Sequence, residues 1–258
     1  MGNLVIMLSV TVDNPDLPII PPEDIRPFID YEPGALEHWI FGGGADSLVG
    51  RVRGQTLTAQ GTGYTYTDTS VTLPGYQNAL ISPFADAKDR TVFAVVRRPA
   101  QQGSAANKGV YWGTRAPASG SPGGNLFADV SGLLAGRLAF NYGDVDNNTR
   151  NSPLVNWTGS GVAEGDIVVL AMSEATDDSV VISINGDATT YELPNARALN
   201  LSNLLAFGNA YYGTSDYQTL SIEMFEAGVF NGAFSEAQHV ALYQRTKARE
   251  ALRGVTIA

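Results

Sequence analysis

Closely spaced turn signals limit this 258-residue chain to few kinds of fold. In "SVVISINGDATTYEL", Ser179 to Leu193, two runs of alternating residues flank the pair Asn185-Gly186. Asn-Gly adopts the positive φ angles of a two-residue turn at low strain, so this segment predicts a β-hairpin. The chain also has 28 glycines, well above the usual share of about 7%. Many short β runs between Gly, Asn, Asp and Pro predict an all-β sandwich rather than an α/β fold.

The remaining strand predictions follow from β-rich composition between turn residues. They are Thr56 to Ala59, Asn78 to Ile81, Arg90 to Arg98, Gly109 to Trp112, Leu126 to Asp129, Leu133 to Tyr142, Ile167 to Ser173, Leu204 to Phe207 and Gln218 to Phe230.

Prolines are concentrated at the start of the chain. The first 33 residues contain Pro15, Pro18, Pro21, Pro22, Pro27 and Pro33, out of 13 in all. Such spacing excludes helix and favours extended backbone. We therefore expect residues 1–34 to form a strand, Val5 to Val12, and a Pro-rich arm, and residues 35–258 to form the sandwich. An arm that packs over its own domain fits the sequence equally well.

One segment near the end of the chain predicts a helix. In "EAGVFNGAFSEAQHVALYQR", Ser235 and Gln238 have the spacing of a capping box, which predicts a helix over residues 236–252. A helical wheel groups seven small or apolar residues on one face, which we expect to be buried. They are Phe234, Ala237, Val240, Ala241, Ala248, Ala251 and Leu252. The wheel places His239, Thr246 and Glu250 opposite, in solvent.

Composition excludes several classes of function. The net charge of -10, with no basic cluster, argues against binding to nucleic acid. The absence of cysteine excludes thiol catalysis and Cys-ligated metals, and fits folding in a reducing cytoplasm. No segment approaches the roughly 18 apolar residues of a membrane helix, so no membrane insertion is expected. The first apolar run also lacks the basic flank of a cleaved signal peptide.

The order of these features resembles a known family. "GVFNGAFSEAQHVALY", Gly228 to Tyr243, is similar to the C-terminus of concanavalin A-like jelly-roll domains of the laminin G type, as found in bacteriophage virion proteins. Upstream, "DSLVGRVRGQTLT" and "NALISPFADAKDRTVFAVVRRP" are similar to the opening of such domains. The resemblance implies two antiparallel sheets packed face to face, with ligands on the concave sheet or its rim loops. Members include lectins, glycosidases, adhesion modules and structural parts of virions.

The enzymes of this family carry paired carboxylates in a Glu-x-Asp-x-x-Glu pattern, which this chain lacks. Glu223 and Glu226 are three residues apart, so a regular strand would point them to opposite faces. His239 is expected at the surface and His38 in packing beside Trp39. We therefore predict no catalytic residues and no enzymatic activity.

Glycan binding needs exposed aromatic rings that stack on sugars, with amides and acids beside them. The best such cluster is the loop "NAYYGTSDYQ". The predicted glycan-binding residues are Asn209, Tyr211, Tyr212, Asp216, Tyr217 and Trp157. Tyrosines in a sandwich also serve as core residues or protein interfaces, and that alternative stays open here.

A second polar loop, "NYGDVDNNTRN", places Asp144, Asp146 and Asn148 at alternate positions. Oxygen ligands at this spacing can surround calcium, and laminin G-like domains often hold calcium at the rim. The alternative, a polar turn without metal, is favoured by the Asn and Asp residues themselves. Calcium is the only cofactor that the sequence suggests.

Together, the resemblance implies a non-enzymatic bacteriophage virion protein, in the tail fibre or tail tip, that binds a host-surface polysaccharide or lipopolysaccharide. It would be made in the host cytoplasm, contact other virion subunits through its arm and form a homo-oligomer, a homotrimer by analogy with fibres. The alternatives are a structural capsid or tail decoration protein without sugar binding, and a glycan-degrading hydrolase.

Overall fold

The computed structural model describes residues 31–100, 108–116, 118–129, 137–157, 160–211 and 220–258. Two antiparallel sheets pack face to face, and one α-helix in the described part of the chain covers the outside of the first sheet. The predicted all-β sandwich with a C-terminal helix is confirmed. The predicted first strand, Val5 to Val12, and nearly all of the predicted arm lie outside the described residues.

The first sheet has eight strands. Their spatial order is β13 (Asp187–Glu192), β12 (Ser179–Ile184), β11 (Ile167–Glu174), β6 (Arg90–Arg97), β15 (Ile222–Asn231), β4 (Val71–Leu73) and β3 (Thr65–Tyr66). The remaining strand, β1 (Glu37–Ile40), also pairs with β15. The second sheet has the order β10 (Thr149–Asn156), β9 (Arg137–Gly143), β8 (Gly124–Asp129), β7 (Lys108–Gly113), β14 (Leu204–Gly208), β5 (Ala79–Ala85) and β2 (Thr58–Gln60).

The predicted hairpin joins β12 to β13. Ile184 pairs with Asp187, and the two turn residues Asn185 and Gly186 have φ angles of 51° and 79°. This is the positive-φ conformation that the Asn-Gly pair predicted.

Two apolar layers account for the buried strands. The inward side chains of both sheets form the main core, which includes Trp39, Trp112 and Phe140. Phe93, Val95 and Val169 point the other way, into a second core beneath the helix. Because β6 and β11 are covered on both faces, their sequences are continuously apolar rather than alternating.

The helix α1 spans Glu236–Leu252, the predicted range, and the backbone N–H of the N-cap residue Ser235 donates to Gln238 Oε1 at 2.9 Å. The predicted orientation of the helix is wrong. The buried residues are His239, Leu242, Thr246, Arg249 and Glu250. Of the seven residues predicted to be buried, Phe234 is half-buried and the other six are exposed: Ala237, Val240, Ala241, Ala248, Ala251 and Leu252. Val240 and Leu252 are 45% and 57% exposed.

Buried polar partners explain this orientation. His239 Nε2 and Nδ1 lie 2.7 and 2.8 Å from the hydroxyls of Ser173 and Ser183. Arg249 Nε donates to Glu226 Oε2 at 3.1 Å, and Arg249 Nη1 lies 2.9 Å from Glu32 Oε1. Hydrogen bonds and charge pairing therefore select the buried face, against the hydrophobic pattern.

Candidate functional site

One end of the sandwich carries an open groove, which we call the Arg97 groove. It lies where β6 ends, β11 begins and β15 begins, and its volume is about 430 Å³. The residues that line it are Arg97, Arg98, Pro99, Ala100, Glu164, Gly165, Ser221 and Glu223. A volume of this order is typical of ligand-binding clefts.

The polar groups of the groove are held in place by contacts within the protein. Arg97 Nε donates to Glu223 Oε2 at 2.6 Å, and Arg97 Nη1 donates to the Gly165 carbonyl at 2.8 Å. The other Glu223 oxygen accepts a 2.7 Å hydrogen bond from Ser70 Oγ. The Arg97 guanidinium also lies over the Phe225 ring, with Cζ 5.6 Å from the centroid. The Arg97 side chain is still 42% exposed, so a fixed guanidinium and carboxylate face solvent together.

The carboxylates of β15 do not form the pair that a glycosidase requires. A β-bulge between Met224 and Glu226 breaks the strand's alternation, so Glu223 and Glu226 do not lie on opposite faces as a regular strand predicts. Glu226 is fully buried and contacts His38 Nε2 at 2.9 Å as well as Arg249. A glycosidase needs two carboxyl groups that flank the scissile bond, and a fully buried Glu226 cannot reach a sugar.

The two histidines are structural. His38 is fully buried, and its Nδ1 accepts a 3.0 Å hydrogen bond from the Glu32 N–H, so Nε2 carries a ring proton and points it towards Glu226. His239 is 1% exposed, which corrects its predicted surface position. Burial lowers the pKa of His239 to about 4, against the opposing charge of Glu236. It is therefore neutral at physiological pH.

The predicted tyrosine cluster is only partly described, because Tyr212, Asp216 and Tyr217 lie outside the described residues. Asn209 is 5% exposed, and its N–H donates to the Asn78 carbonyl. Tyr211 packs against three buried alanines, and its hydroxyl donates to the Leu204 carbonyl at 2.6 Å. These two residues mainly build the turn after β14, and Asn209 does not provide the exposed amide that a sugar would need.

Trp157 does not belong to that cluster. It is 1% exposed in the core between the sheets, where its ring meets Tyr111 edge-on at 6.4 Å. Arg98 Cζ lies 5.4 Å from the Trp157 ring centroid. The predicted role of Trp157 in stacking on a sugar is therefore wrong, because the ring is buried in the protein and is not accessible to a ligand.

The predicted calcium loop is organised around the buried Asp144 carboxylate. Oδ1 accepts the backbone N–H groups of Asp146 and Asn148 at 3.0 and 2.7 Å, and Oδ2 accepts from Arg150 and Asn195 at 2.8 and 3.0 Å. Burial opposes ionisation, yet these hydrogen bonds hold the pKa of Asp144 well below its usual range. A calcium ion would have to displace these donors, so the arrangement does not fit the ion, and calcium binding stays a prediction. Across the described ranges, no three His, Asp or Glu side chains converge as a metal-binding group.

Sequence reasoning missed the Arg97 groove because its residues come from three distant segments. The signal available was "VVRRPA", where two arginines end an apolar strand just before a proline.

Within the parts of the chain that the structure describes, every helix falls short of the length and hydropathy of a membrane span.

No protein-family profile matches this sequence, and no curated protein is significantly similar to it. The fold, however, is similar to solved structures of botulinum neurotoxin binding domains. The serotype G binding domain has a TM-score of 0.61 at 12% identity, over 83% of this chain and 51% of the other. The serotype D receptor binding domain has a TM-score of 0.59 at 11% identity, over 83% and 53%.

A third structure is the serotype D ligand binding domain in complex with N-acetylneuraminic acid, with a TM-score of 0.58 at 11% identity, over 82% and 50%. The chain thus spans about half the length of these domains. At such low identity the likeness shows a shared two-sheet β-sandwich. The class that fold and groove define is therefore an all-β sandwich with a solvent-facing polar groove at one end.

Proposed function

We propose that this protein is a non-enzymatic binding module that recognises a host-surface glycan, as part of a bacteriophage tail fibre or tail tip. The Arg97 groove is the observation that carries the proposal. Its guanidinium and carboxylate are preorganised by Phe225, Gly165 and Ser70, so little side-chain entropy is lost when a ligand binds. The sandwich neighbours that bind receptors or N-acetylneuraminic acid support a binding role in general.

The chemistry of the groove suits a saccharide. A sugar hydroxyl is both a donor and an acceptor, so neighbouring hydroxyls can donate to Glu223 while they accept from Arg97. Ser221 adds a further hydroxyl, and Glu164 a second acid, at the edge of the groove. The groove is open, so it can admit an internal unit of a polysaccharide or lipopolysaccharide.

A glycan array with the full chain tests this role. Arg97→Ala should weaken glycan binding about tenfold or more, because hydrogen bonds from a charged group are lost. Arg245→Ala is the matched control, since Arg245 is 43% exposed and also paired with a carboxylate, but lies on the helix. If no bacterial surface glycan binds, or if both variants bind like wild type, the proposal fails.

A virion role rests on the family resemblance stated above. In this proposal the N-terminal arm contacts other virion subunits and the protein is a homotrimer. Mass spectrometry of purified particles and sedimentation of the isolated protein test these two points. A protein present in the particle that binds no glycan would favour the alternative role, a capsid or tail decoration protein.

The hydrolase alternative has one specific test. Reducing-sugar release from a bound polysaccharide, lost in Glu223→Gln, would establish it. We expect no release, because the ion pair with Arg97 and the hydrogen bond from Ser70 hold Glu223 in place and disfavour its action as a nucleophile or acid. Each oxygen still has a lone pair that can accept from a sugar hydroxyl.

A further inference from the structure

A small cavity lies at the opposite end of the sandwich from the Arg97 groove, and we call it the rim cavity. It is placed between the two sheets where β6 begins, at Arg90, and β11 ends, at Glu174. Its volume is about 40 Å³. Its apolar wall is formed by Val92, Trp112, Phe140, Met172 and Leu205.

Two hydrogen-bond donors of the cavity residues have no acceptor within the described protein. They are Nε1 of Trp112, a residue that is 2% exposed, and Nε of Arg90. A buried donor without a partner destabilises the fold, so such groups usually meet a ligand or an ordered water. Both residues line the rim cavity, so an acceptor bound there is a candidate partner for one or the other donor.

The acids of the cavity are already paired. Arg197 Nε lies 2.8 Å from both Glu174 oxygens, and Arg197 Nη1 lies 2.6 Å from Asp86 Oδ2. Two arginines and two carboxylates sum to no net charge at the cavity. Burial, opposed by Arg197, raises the pKa of Glu174, and burial also lowers the pKa of Arg90, so the site disfavours charge of either sign. A neutral acceptor therefore suits the cavity better than an anion.

The volume sets the size of that acceptor. A water molecule needs about 10–15 Å³ of cavity volume, so a cavity of about 40 Å³ holds about three heavy atoms. The oxygen, carbon and methyl of an acetyl group match this number. The oxygen would accept from Trp112 or Arg90, and the methyl would contact Val92, Phe140 and Met172.

We propose that the rim cavity is a binding subsite for the N-acetyl group of a 2-acetamido sugar. The inference rests on the proposed glycan-binding function and names the sugar class. A subsite that combines an apolar methyl pocket with buried donors discriminates against sugars without the acetamido group, because the donors would stay unpaired.

Indole N–H signals provide the direct test, because the chain has three tryptophans and hence three such NMR resonances. The Trp112 signal is assigned by its loss in Trp112→Phe. N-acetylglucosamine at tens of millimolar should shift the Trp112 signal and leave those of Trp39 and Trp157 in place. Glucose and glucosamine at the same concentrations should shift none. No shift with N-acetylglucosamine, or an equal shift with glucose, overturns the proposal and indicates a water-filled cavity.

The array separates this proposal from the broader one. Acetamido glycans should bind about tenfold more tightly than their deacetylated forms, and Trp112→Phe should remove that preference while binding through the Arg97 groove persists. Glycan binding without an acetamido preference would overturn the subsite but leave the proposed function intact. An empty array together with an unmoved Trp112 signal would overturn both.

Discussion

Arg249 Nε lies 3.1 Å from Oε2 of Glu226, a carboxylate with no exposed surface. The same guanidinium reaches Glu32, so one helical arginine pairs with two buried carboxylates. Removal of one partner from a buried pair leaves an uncompensated charge, which is far costlier than loss of an exposed pair.

Arg249→Met should therefore lower the free energy of unfolding by about 3–5 kcal/mol. Urea denaturation at neutral pH measures this. Arg245→Met is the control, because the Arg245 side chain is 43% exposed and Glu32 would keep its pair with Arg249, so the loss should be only about 0–1 kcal/mol. An equal decrease in the free energy of unfolding in the two variants would show that the buried pairs of Arg249 contribute no more than the pair of Arg245.

Glu250 should make the free energy of unfolding fall as pH rises from about 4.5 to about 9. Burial and then the charge of Glu226 raise the pKa of Glu250 to about 9, against the opposing effect of Arg253. The unfolded chain loses this proton near pH 4.5 and the folded chain near pH 9, so this contribution to stability falls as pH rises between the two values. Glu250→Gln should flatten the decline between pH 6 and 9 in urea titrations, and an unchanged slope would contradict the assignment.

His239 has the opposite dependence. Burial lowers the pKa of His239 to about 4 in the folded chain. In the unfolded chain the imidazole takes up its proton near pH 6.5. Its contribution to stability is thus complete above pH 6.5 and is lost as pH falls towards 4. His239→Gln should reduce the loss of stability between pH 6.5 and 4.5, measured by chemical denaturation. A steeper acid loss in this variant would count against a neutral buried imidazole.

Gly228 is required by close packing rather than by its backbone angle. A Cβ atom at this position would lie 2.2 Å from Cε1 of the buried Phe93 ring. Gly228→Ala should destabilise the fold by about 1–3 kcal/mol, the usual range for overpacking. The double variant with Phe93→Leu should recover part of this loss, which a thermal melt of the four proteins would show. Additive effects would indicate that the two sites are independent.

The loop around Asp144 is either a calcium site or a polar turn without metal, and two measurements distinguish these interpretations. Asp144→Asn should lower the melting temperature, because Arg150 and Asn195 would lose a charged acceptor. We expect wild type to melt at the same temperature with calcium or with a chelator. A rise with calcium that follows its concentration would instead establish the predicted calcium site.

The local features of the fold were predictable from sequence. Asn185-Gly186 gave the hairpin, and Ser235 with Gln238 gave the helix, because both signals act within a few residues. Strands β1, β3, β4 and β10 were not predicted. β3 has only two residues, and β10 contains Pro153 and lies in a polar segment.

The helix orientation and the candidate sites depend on contacts between distant segments. Nothing near Arg249 in the sequence indicates that Glu32 and Glu226 will meet it. In the same way, Arg97 meets Glu223 only after β6 and β15 have paired, and Trp112 and Arg90 line one cavity only after the two sheets have packed. Trp157 shows the converse, since an aromatic residue beside a polar loop can be a core residue of the sandwich.

The buried polar face of α1 also fixes how the helix sits. An apolar helix face tolerates small rotations, because neighbouring aliphatic side chains substitute for one another. A rotation by one residue, about 100°, would remove Arg249 from both carboxylates and His239 from both serines. These contacts therefore favour one rotation of α1 about its own axis, in addition to the stability that they contribute.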